Sequence, residues 1–313
     1  MSQVDVVIPV YNTPIRYVRD ALNSVSQQSF EDWTTIVVND GSAADYSLEL
    51  ESLIEEFAER RIRYLRSENR GLAAARNLGI SSGKAPFVAL LDSDDMWYPH
   101  KLARQVELLQ GDAQTALLHA DTDFLHGDTM DRLERMQPRA LGLERLTPQE
   151  TWRKLLRQNF VCVNTVVLRR SAGEKAGFFD PGFRALEDKE YWIRLLMSGF
   201  AMRHMPEVLA IYRKHDSNMS KSVDKMLAGR LGLIRKIDQL VERIPQWGKS
   251  DWSAARREMM RHAYVEVVET HLEAGQYAQA LRFSMPAYVG VSSQALRGSV
   301  VAVLGLLGLR RTP

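Results

Sequence analysis

Leu90-Leu91-Asp92-Ser93-Asp94-Asp95 is the stretch that decides how this chain is read. An apolar strand, expected over residues 87–91, runs straight into three carboxylates within four positions. Like charges crowded at a strand tip disfavour one another's ionisation, so the cluster does not serve stability. A positive group is expected there. A divalent cation suits it, because Mg²⁺ is typically held by one or two carboxylates together with the phosphates of its substrate. The competing reading makes these Asp residues caps of a helix starting near Pro99.

Upstream, Val4–Val10 is an almost continuous β-branched run, the pattern of a strand buried on both faces. Tyr11-Asn12-Thr13-Pro14 breaks it, with Thr13 expected as N-cap and Pro14 at the first helical position. A helix to about Gln28, a strand at 33–38, a helix across 46–60, a short strand at 62–65 and a helix at 71–82 follow. Strands alternating with helices of this length imply a parallel, doubly wound α/β sheet. Ligands of such sheets lie beyond the carboxyl ends of the strands. Tyr11-Asn12, Asn39–Ser42 and Asp92–Asp95 all fall at such ends, which argues for one shared site.

Downstream, strands are expected at 116–120, 164–169, 202–205 and 209–213, with helices at 148–158 and 187–198. The polar stretch 127–145 reads as a mobile loop over the site. Beyond residue 222 the pattern is purely helical (226–243, 252–274 and 277–288), broken by Pro245 and Gly275. The organisation expected is a domain over 1–221, split into a nucleotide half (1–112) and an acceptor half (113–221), with a helical appendage over 222–313. That appendage is also the surface expected for any self-association. The apolar tail 300–309, flanked by Arg297, Arg310 and Arg311, is too short to cross a bilayer but has the character of an interfacial helix, or of one docked on its own domain.

With 313 residues, 45% hydrophobic and 26% charged, the composition is that of an ordinary globular protein. A net charge of +2 carries no global nucleic-acid footprint. A single cysteine, Cys162, leaves no partner for an intrachain disulfide and fits a reducing compartment. No secretory signal opens the sequence, so a cytoplasmic protein, peripheral on the membrane through 297–311, is expected.

Val7-Ile8-Pro9-Val10-Tyr11-Asn12, Asn39-Asp40-Gly41-Ser42, Asn69-Arg70-Gly71 with Ala75-Arg76-Asn77, and Leu91-Asp92-Ser93-Asp94-Asp95 occur in this order. The series resembles the nucleotide-sugar half of a family 2, GT-A-fold, inverting glycosyltransferase. Gly177-Phe178-Phe179-Asp180, Glu187-Asp188 with Trp192 and Arg194, and Tyr212-Arg213-Lys214-His215 resemble that family's acceptor half. The resemblance implies transfer of a sugar from a nucleotide donor, a UDP-sugar foremost, to a glycan or lipid-linked glycan, with Mg²⁺ or Mn²⁺ as cofactor. It places Pro9, Tyr11, Asn12, Asp40, Arg76, Asp92 and Ser93 around the nucleotide sugar. It makes Asp94 the metal ligand of a DXD element, sets Asp92 on ribose or metal-bound water, and lets His215 complete the metal shell.

The chemistry of each side chain agrees. Tyr11 offers a face for a nucleobase, a contact worth about 1–3 kcal/mol, the bland alternative being an edge aromatic. Asp40 is suited to accept from a uracil N3–H, or else closes an Asx-turn before Gly41. Arg76, on a helix of small residues, is expected to pair with Asp40 or a diphosphate, the alternative being a surface Arg. Asp188 is the expected general base, against the alternative of a first-turn carboxylate whose pKa the helix dipole lowers. Trp192 is either a sugar platform or core, and the Phe residues at 178, 179 and 183 read as core. A sugar-phosphate nucleotidyltransferase would need a Gly-rich, Lys-containing loop after the first strand, and that loop is absent. A nucleotide-sugar-binding scaffold without turnover is the non-enzymatic alternative.

Overall fold

The computed structural model describes residues 2–289 apart from 58–60, 140–141, 144–145, 217, 219–221 and 245–246. The chain divides into two compact units, Met1–Leu155 with Asn159–Asp216, and Leu156–Gln158 with Ser217–Pro313. In the first unit the order is β1 (Val4–Val10), α1 (Ile15–Ser26), β2 (Trp33–Asp40), α2 (Ala44–Glu56), β3 (Ile62–Ser67), α3 (Leu72–Ser82) and β4 (Phe87–Leu90). These four strands are parallel in the order β3-β2-β1-β4. All seven residues of β1 are buried, which is why the run carries no polar alternation.

The chain moves outward from β1 to β3 and then crosses back to lay β4 on the other flank of β1. That reversal is a topological switch point, and it lies between the ends that carry Tyr11 and Asp92. Pro9 is tolerated in so central a strand because the β1–β4 ladder stops at Val7↔Leu90. Val7 O still accepts from Leu91 N. The next residue on that side needs no N–H. Helix α3 lies close against the sheet because it is built of small residues. A Cβ at Gly79 would come within 2.5 Å of Val7 Cγ1 and 3.2 Å of Val38 Cγ2.

The second half supplies β5 (Met96–Trp97), α4 (Lys101–Gly111), β6 (Thr115–His126), β7 (Leu133–Glu134), α5 (Pro148–Arg157), β8 (Val167–Arg169), α6 (Arg170–Ala176), α7 (Glu187–Met197) and β9 (Ala201–Lys214). The sheet continues β4-β8-β6-β9-β5, with β7 paired to β6. The two strands expected at 202–205 and 209–213 are one strand, β9. Its register against β6 skips from His119↔His204 to Asp121↔Val208. Pro206 falls in that skip, where a bulge leaves its missing N–H unneeded. The strand expected at 164–169 begins instead as a 3₁₀ turn, Val163–Thr165.

Two local expectations are corrected. Thr13 does not cap α1: the helix begins at Ile15 behind Pro14. The Thr13 hydroxyl is drawn instead to Ser93 Oγ, 2.8 Å away. The stretch 127–145 is pinned where it is described, with β7 on β6 and Met136 N and Arg139 N donating to Asp123 Oδ1 and Asp121 Oδ2. Asp121 and Asp123, two apart on β6, hold that loop.

The second unit contains α8 (Val223–Arg243), α9 (Lys249–Glu273) and α10 (Tyr277–Val289). Leu227, Ala263 and Val267 form its core, and Gly275, at φ 69°, makes the turn from α9 to α10. Among the described residues no helix is long and apolar enough to cross a membrane. The tail expected to meet a membrane, 297–311, lies outside the described residues.

Candidate active site

The carboxylate cluster does not cap a helix. Helix α4 begins at Lys101 behind His100, with β5 between it and the Asp residues. Asp95 is buried and spent on structure: Oδ2 accepts from Asn164 Nδ2 at 2.8 Å and Oδ1 from Arg213 N at 2.8 Å. Burial, with Asp94 and Asp92 nearby, pushes its carboxyl well above the usual range.

Asp94 behaves differently. It stays partly exposed and lies 2.8 Å from His215 Nε2. The two were 121 positions apart in sequence. His215 reaches it because Arg213, two residues earlier, is fully buried and tied in four directions. Its side chain donates to Asp20 Oδ2, to the Asp94 carbonyl and to the Gly127 carbonyl, and stacks over Tyr17 at 4.2 Å. The one signal of this in the sequence is a charged residue inside an apolar strand end.

Asp92 meets Arg76 rather than a free site. Arg76, 1% exposed, donates from one terminal nitrogen to Asp92 Oδ1 at 2.6 Å and from the other to Glu187 Oε1 at 2.7 Å. The expected Arg76–Asp40 pair is therefore not formed. Helix α3 packs on β1 and β2, and from it Arg76 reaches the Asp92 loop and the start of α7. Burial pushes the Asp92 carboxyl up, and Arg76 pulls it back. One guanidinium thus ties the Asp92 loop to the start of α7, a link the sequence did not reveal for Glu187.

Asp40 is committed as well. Its two oxygens accept from Arg70 N at 2.9 Å and Gly71 N at 2.8 Å. The turn after β2 is closed by Asn39, whose Oδ1 accepts from Ser42 N at 2.9 Å. Gly41, at φ 71°, packs so closely that a Cβ would sit 2.4 Å from Asn69 N. Gly41→Ala should cost at least about 1–2 kcal/mol from the left-handed conformation alone, read as a lower midpoint in urea unfolding.

Asn12 stands at φ 49°, donates from N to Ser42 Oγ and accepts from Ala43 N, both at 3.0 Å, so it joins the ends of β1 and β2. Tyr11 beside it is 54% exposed, with its ring available to a ligand. Ser93 is buried with its hydroxyl on that of Thr13, and Pro9 is buried within β1.

Asp188 is the second residue of α7, which starts at Glu187 behind Leu186, a residue in left-handed conformation at φ 61°. Its Oδ1 accepts from Lys189 N at 2.6 Å, and Asn159 Nδ2 approaches Oδ2 at 3.5 Å. Burial foremost, then the Glu187 charge, pushes the Asp188 carboxyl up to about 6, against the lowering by Lys189 N and Arg76. The helix N-terminus does not win here, so the depressed pKa expected from the dipole is corrected: desolvation outweighs it. Trp192 is core, not platform. It is wholly buried with its centroid 5.1 Å from Tyr191 and 6.0 Å from Phe179. Asn77 fixes that aromatic corner by donating to Phe179 O at 2.8 Å and accepting from Phe179 N at 3.0 Å.

The pieces named from the sequence therefore gather along one rim, at the carboxyl ends of β1, β2 and β4 and the start of α7. Among the described residues no three side chains converge as a complete metal cage. Asp94 and His215 lie paired at 2.8 Å, a carboxylate of the kind that holds Mg²⁺ together with phosphate oxygens beside an imidazole, which suits softer metals.

The sequence profile of Glycosyl transferase family 2 matches residues 5–177, and the chain belongs to that family. A putative teichuronic acid biosynthesis glycosyltransferase, TuaG of Bacillus subtilis, is 30% identical over 241 residues, 76% of this chain and 89% of that protein. The Escherichia coli protein described as UDP-Glc:alpha-D-GlcNAc-diphosphoundecaprenol beta-1,3-glucosyltransferase WfgD is 26% identical over 227 residues, 72% of this chain and 82% of its own length. An uncharacterized glycosyltransferase of Rickettsia felis is 39% identical over 109 residues, 35% of this chain but only 17% of that longer protein. Among solved structures, S. aureus TarS 1-349 superposes with a TM-score of 0.60 at 14% identity, covering 98% of this chain and 92% of that one. The mannosyltransferase PcManGT from Pyrobaculum calidifontis, in complex with GDP-Man and Mn²⁺, gives 0.59 at 15% identity, covering 98% and 86%. At such identities the likeness is one of fold, a GT-A α/β fold with a mostly parallel sheet.

Proposed function

We propose that this chain is a metal-dependent inverting glycosyltransferase that moves a sugar from a UDP-sugar to a hydroxyl of a glycan or lipid-linked acceptor, with Asp188 as general base. The observation that carries this reading is the convergence of Asp94–His215, the Asp92–Arg76–Glu187 bridge and Asp188 on one rim. Tyr11 takes the base on its exposed face, and Asp40 keeps the 68–71 loop beside it through two amide bonds. Asp94 and His215 would hold Mg²⁺ or Mn²⁺, which when bound neutralises charge on the departing diphosphate. Asp188 takes the proton of the acceptor hydroxyl as its oxygen forms a bond to the anomeric carbon. The bond from that carbon to phosphate oxygen breaks from the opposite face, and UDP leaves with the electron pair.

Support for a UDP donor comes from the Escherichia coli relative, described as a UDP-Glc-dependent glucosyltransferase, and from TarS solved in complex with UDP-GlcNAc. Support for a metal comes from the Mn²⁺ complex of the archaeal neighbour. The test is UDP release from UDP-glucose and UDP-GlcNAc with Mn²⁺ and with EDTA. Release that needs metal supports the proposal, and release that is indifferent to EDTA overturns its metal part. Asp94→Ala should raise the Mn²⁺ concentration needed for half-maximal release at least about tenfold. Tyr11→Ala should weaken UDP binding in calorimetry by about 1–3 kcal/mol if its ring stacks on the base.

A further inference from the structure

Helix α1 sets two side chains against the end of β9, and both meet Arg213. The Arg213 guanidinium lies 4.2 Å from the centre of the Tyr17 ring, and Asp20 Oδ2 accepts from Arg213 at 2.7 Å. Residues three apart share a helix face, so α1 presents the two together. The Tyr17 ring also neighbours His215, with ring centroids 5.5 Å apart and planes tilted by 31°. That spacing lies within the range of attractive ring pairs. Arg213 and His215 are two apart and turn to the same side of the chain. Lys214 between them turns to Phe124, its Nζ 3.8 Å from that ring's centre.

The far end of Tyr17 is held as well. Its hydroxyl donates to Asp128 Oδ1, while Asp128 Oδ2 accepts from Arg16 at 3.0 Å. Gly127, next to Asp128, donates from N to Lys214 O at 3.1 Å and accepts from Arg213 at 3.2 Å. Tyr17 is buried, so these contacts fix where its ring sits. His215 stands just beyond the last residue of β9, where packing rather than strand pairing must aim its imidazole.

We infer that Tyr17 is a positioning residue for the cation site: its ring, packed on Arg213 and anchored through Asp128, aims His215 so that Nε2 faces Asp94. The inference rests on the metal-dependent reading above and adds the residue that acts through His215. Groups that orient a metal ligand typically contribute 10- to 100-fold to metal affinity. The test is a Mn²⁺ titration of the full chain with UDP, followed by the electron paramagnetic resonance signal of free Mn²⁺.

Tyr17→Leu should raise the Mn²⁺ dissociation constant about tenfold or more. Tyr17→Phe keeps the ring and loses only the bond to Asp128, so it should raise the constant about threefold. UDP affinity without metal, measured by calorimetry, should be unchanged in both. In a His215→Ala background Tyr17→Leu should cause no further loss, because two residues acting as one do not add. Should Tyr17→Leu fail to fold, Tyr17→Phe in the same two backgrounds carries the test. Wild-type Mn²⁺ affinity in the folded variant, or losses that add to that of His215→Ala, would overturn the inference. Wild-type protein that binds no Mn²⁺, or binds it equally after His215→Ala, would instead overturn the metal reading, and this inference with it.

Discussion

Asp188→Asn is expected to cut turnover of a UDP-sugar by about 10²–10⁴-fold, the usual contribution of a positioned general base. UDP affinity should be nearly unchanged, because the residues assigned to the nucleotide, Tyr11 and the Asp40-clamped loop, belong to other strand ends. The thermal midpoint should not fall. The Asp188 carboxyl is pushed up to about 6, so its charged form is disfavoured in the fold and a neutral amide relieves that cost. Loss of activity without loss of stability is what separates a base from a helix-start carboxylate.

The same shift sets a pH dependence. A base must be deprotonated, so below a pKa of about 6 the competent fraction falls about tenfold per pH unit, and above it the rate levels. The kcat/KM profile of the wild type should bend near that value, and the residual profile of Asp188→Asn should not. A wild-type profile flat between pH 5 and 7 would remove Asp188 from the role.

Arg76→Leu is expected to be the most destabilising single change, at about 3–5 kcal/mol, the cost of leaving buried charge without its partner. Two carboxylates are stranded at once, Asp92 and the nearly buried Glu187. Apolar replacement of one member does not help when the other two remain. Pairing Arg76→Leu with Glu187→Gln should recover part of the loss, since one stranded charge is then removed. Arg76→Lys should fall between, because an ammonium lacks the planar fork that meets both carboxylates. Chemical denaturation measures all three, and equal stability of Arg76→Leu and wild type would deny the bridge its structural role.

How much could be read before folding differs from residue to residue. The parallel, doubly wound half was legible because β1, β2 and β4 are apolar runs and the connections have helical length. Tyr11, Asp92 and Asp188 were legible because polar groups at strand ends and helix starts interrupt those patterns. What failed was partner choice. Arg76 was expected at Asp40 or a diphosphate and is found with Asp92 and Glu187, because how far α3 slides along the sheet depends on Gly79 against Val7 and Val38. Trp192 sits one turn from Asp188 on the same helix and is nevertheless core, because Phe179 and Tyr191 close over it. Period alone cannot say which side of a helix end faces solvent.

By itself the chain determined its alternation of strands and helices, and with it the end of the sheet at which polar groups collect, since burial and backbone pairing act locally and repeat. Only the tertiary structure decided that Asp94 meets His215, that Arg213 carries the histidine there, and that burial pushes the Asp188 carboxyl up rather than down. Those outcomes depend on distance and on exclusion of water between segments more than a hundred residues apart, quantities that spacing along one chain does not contain.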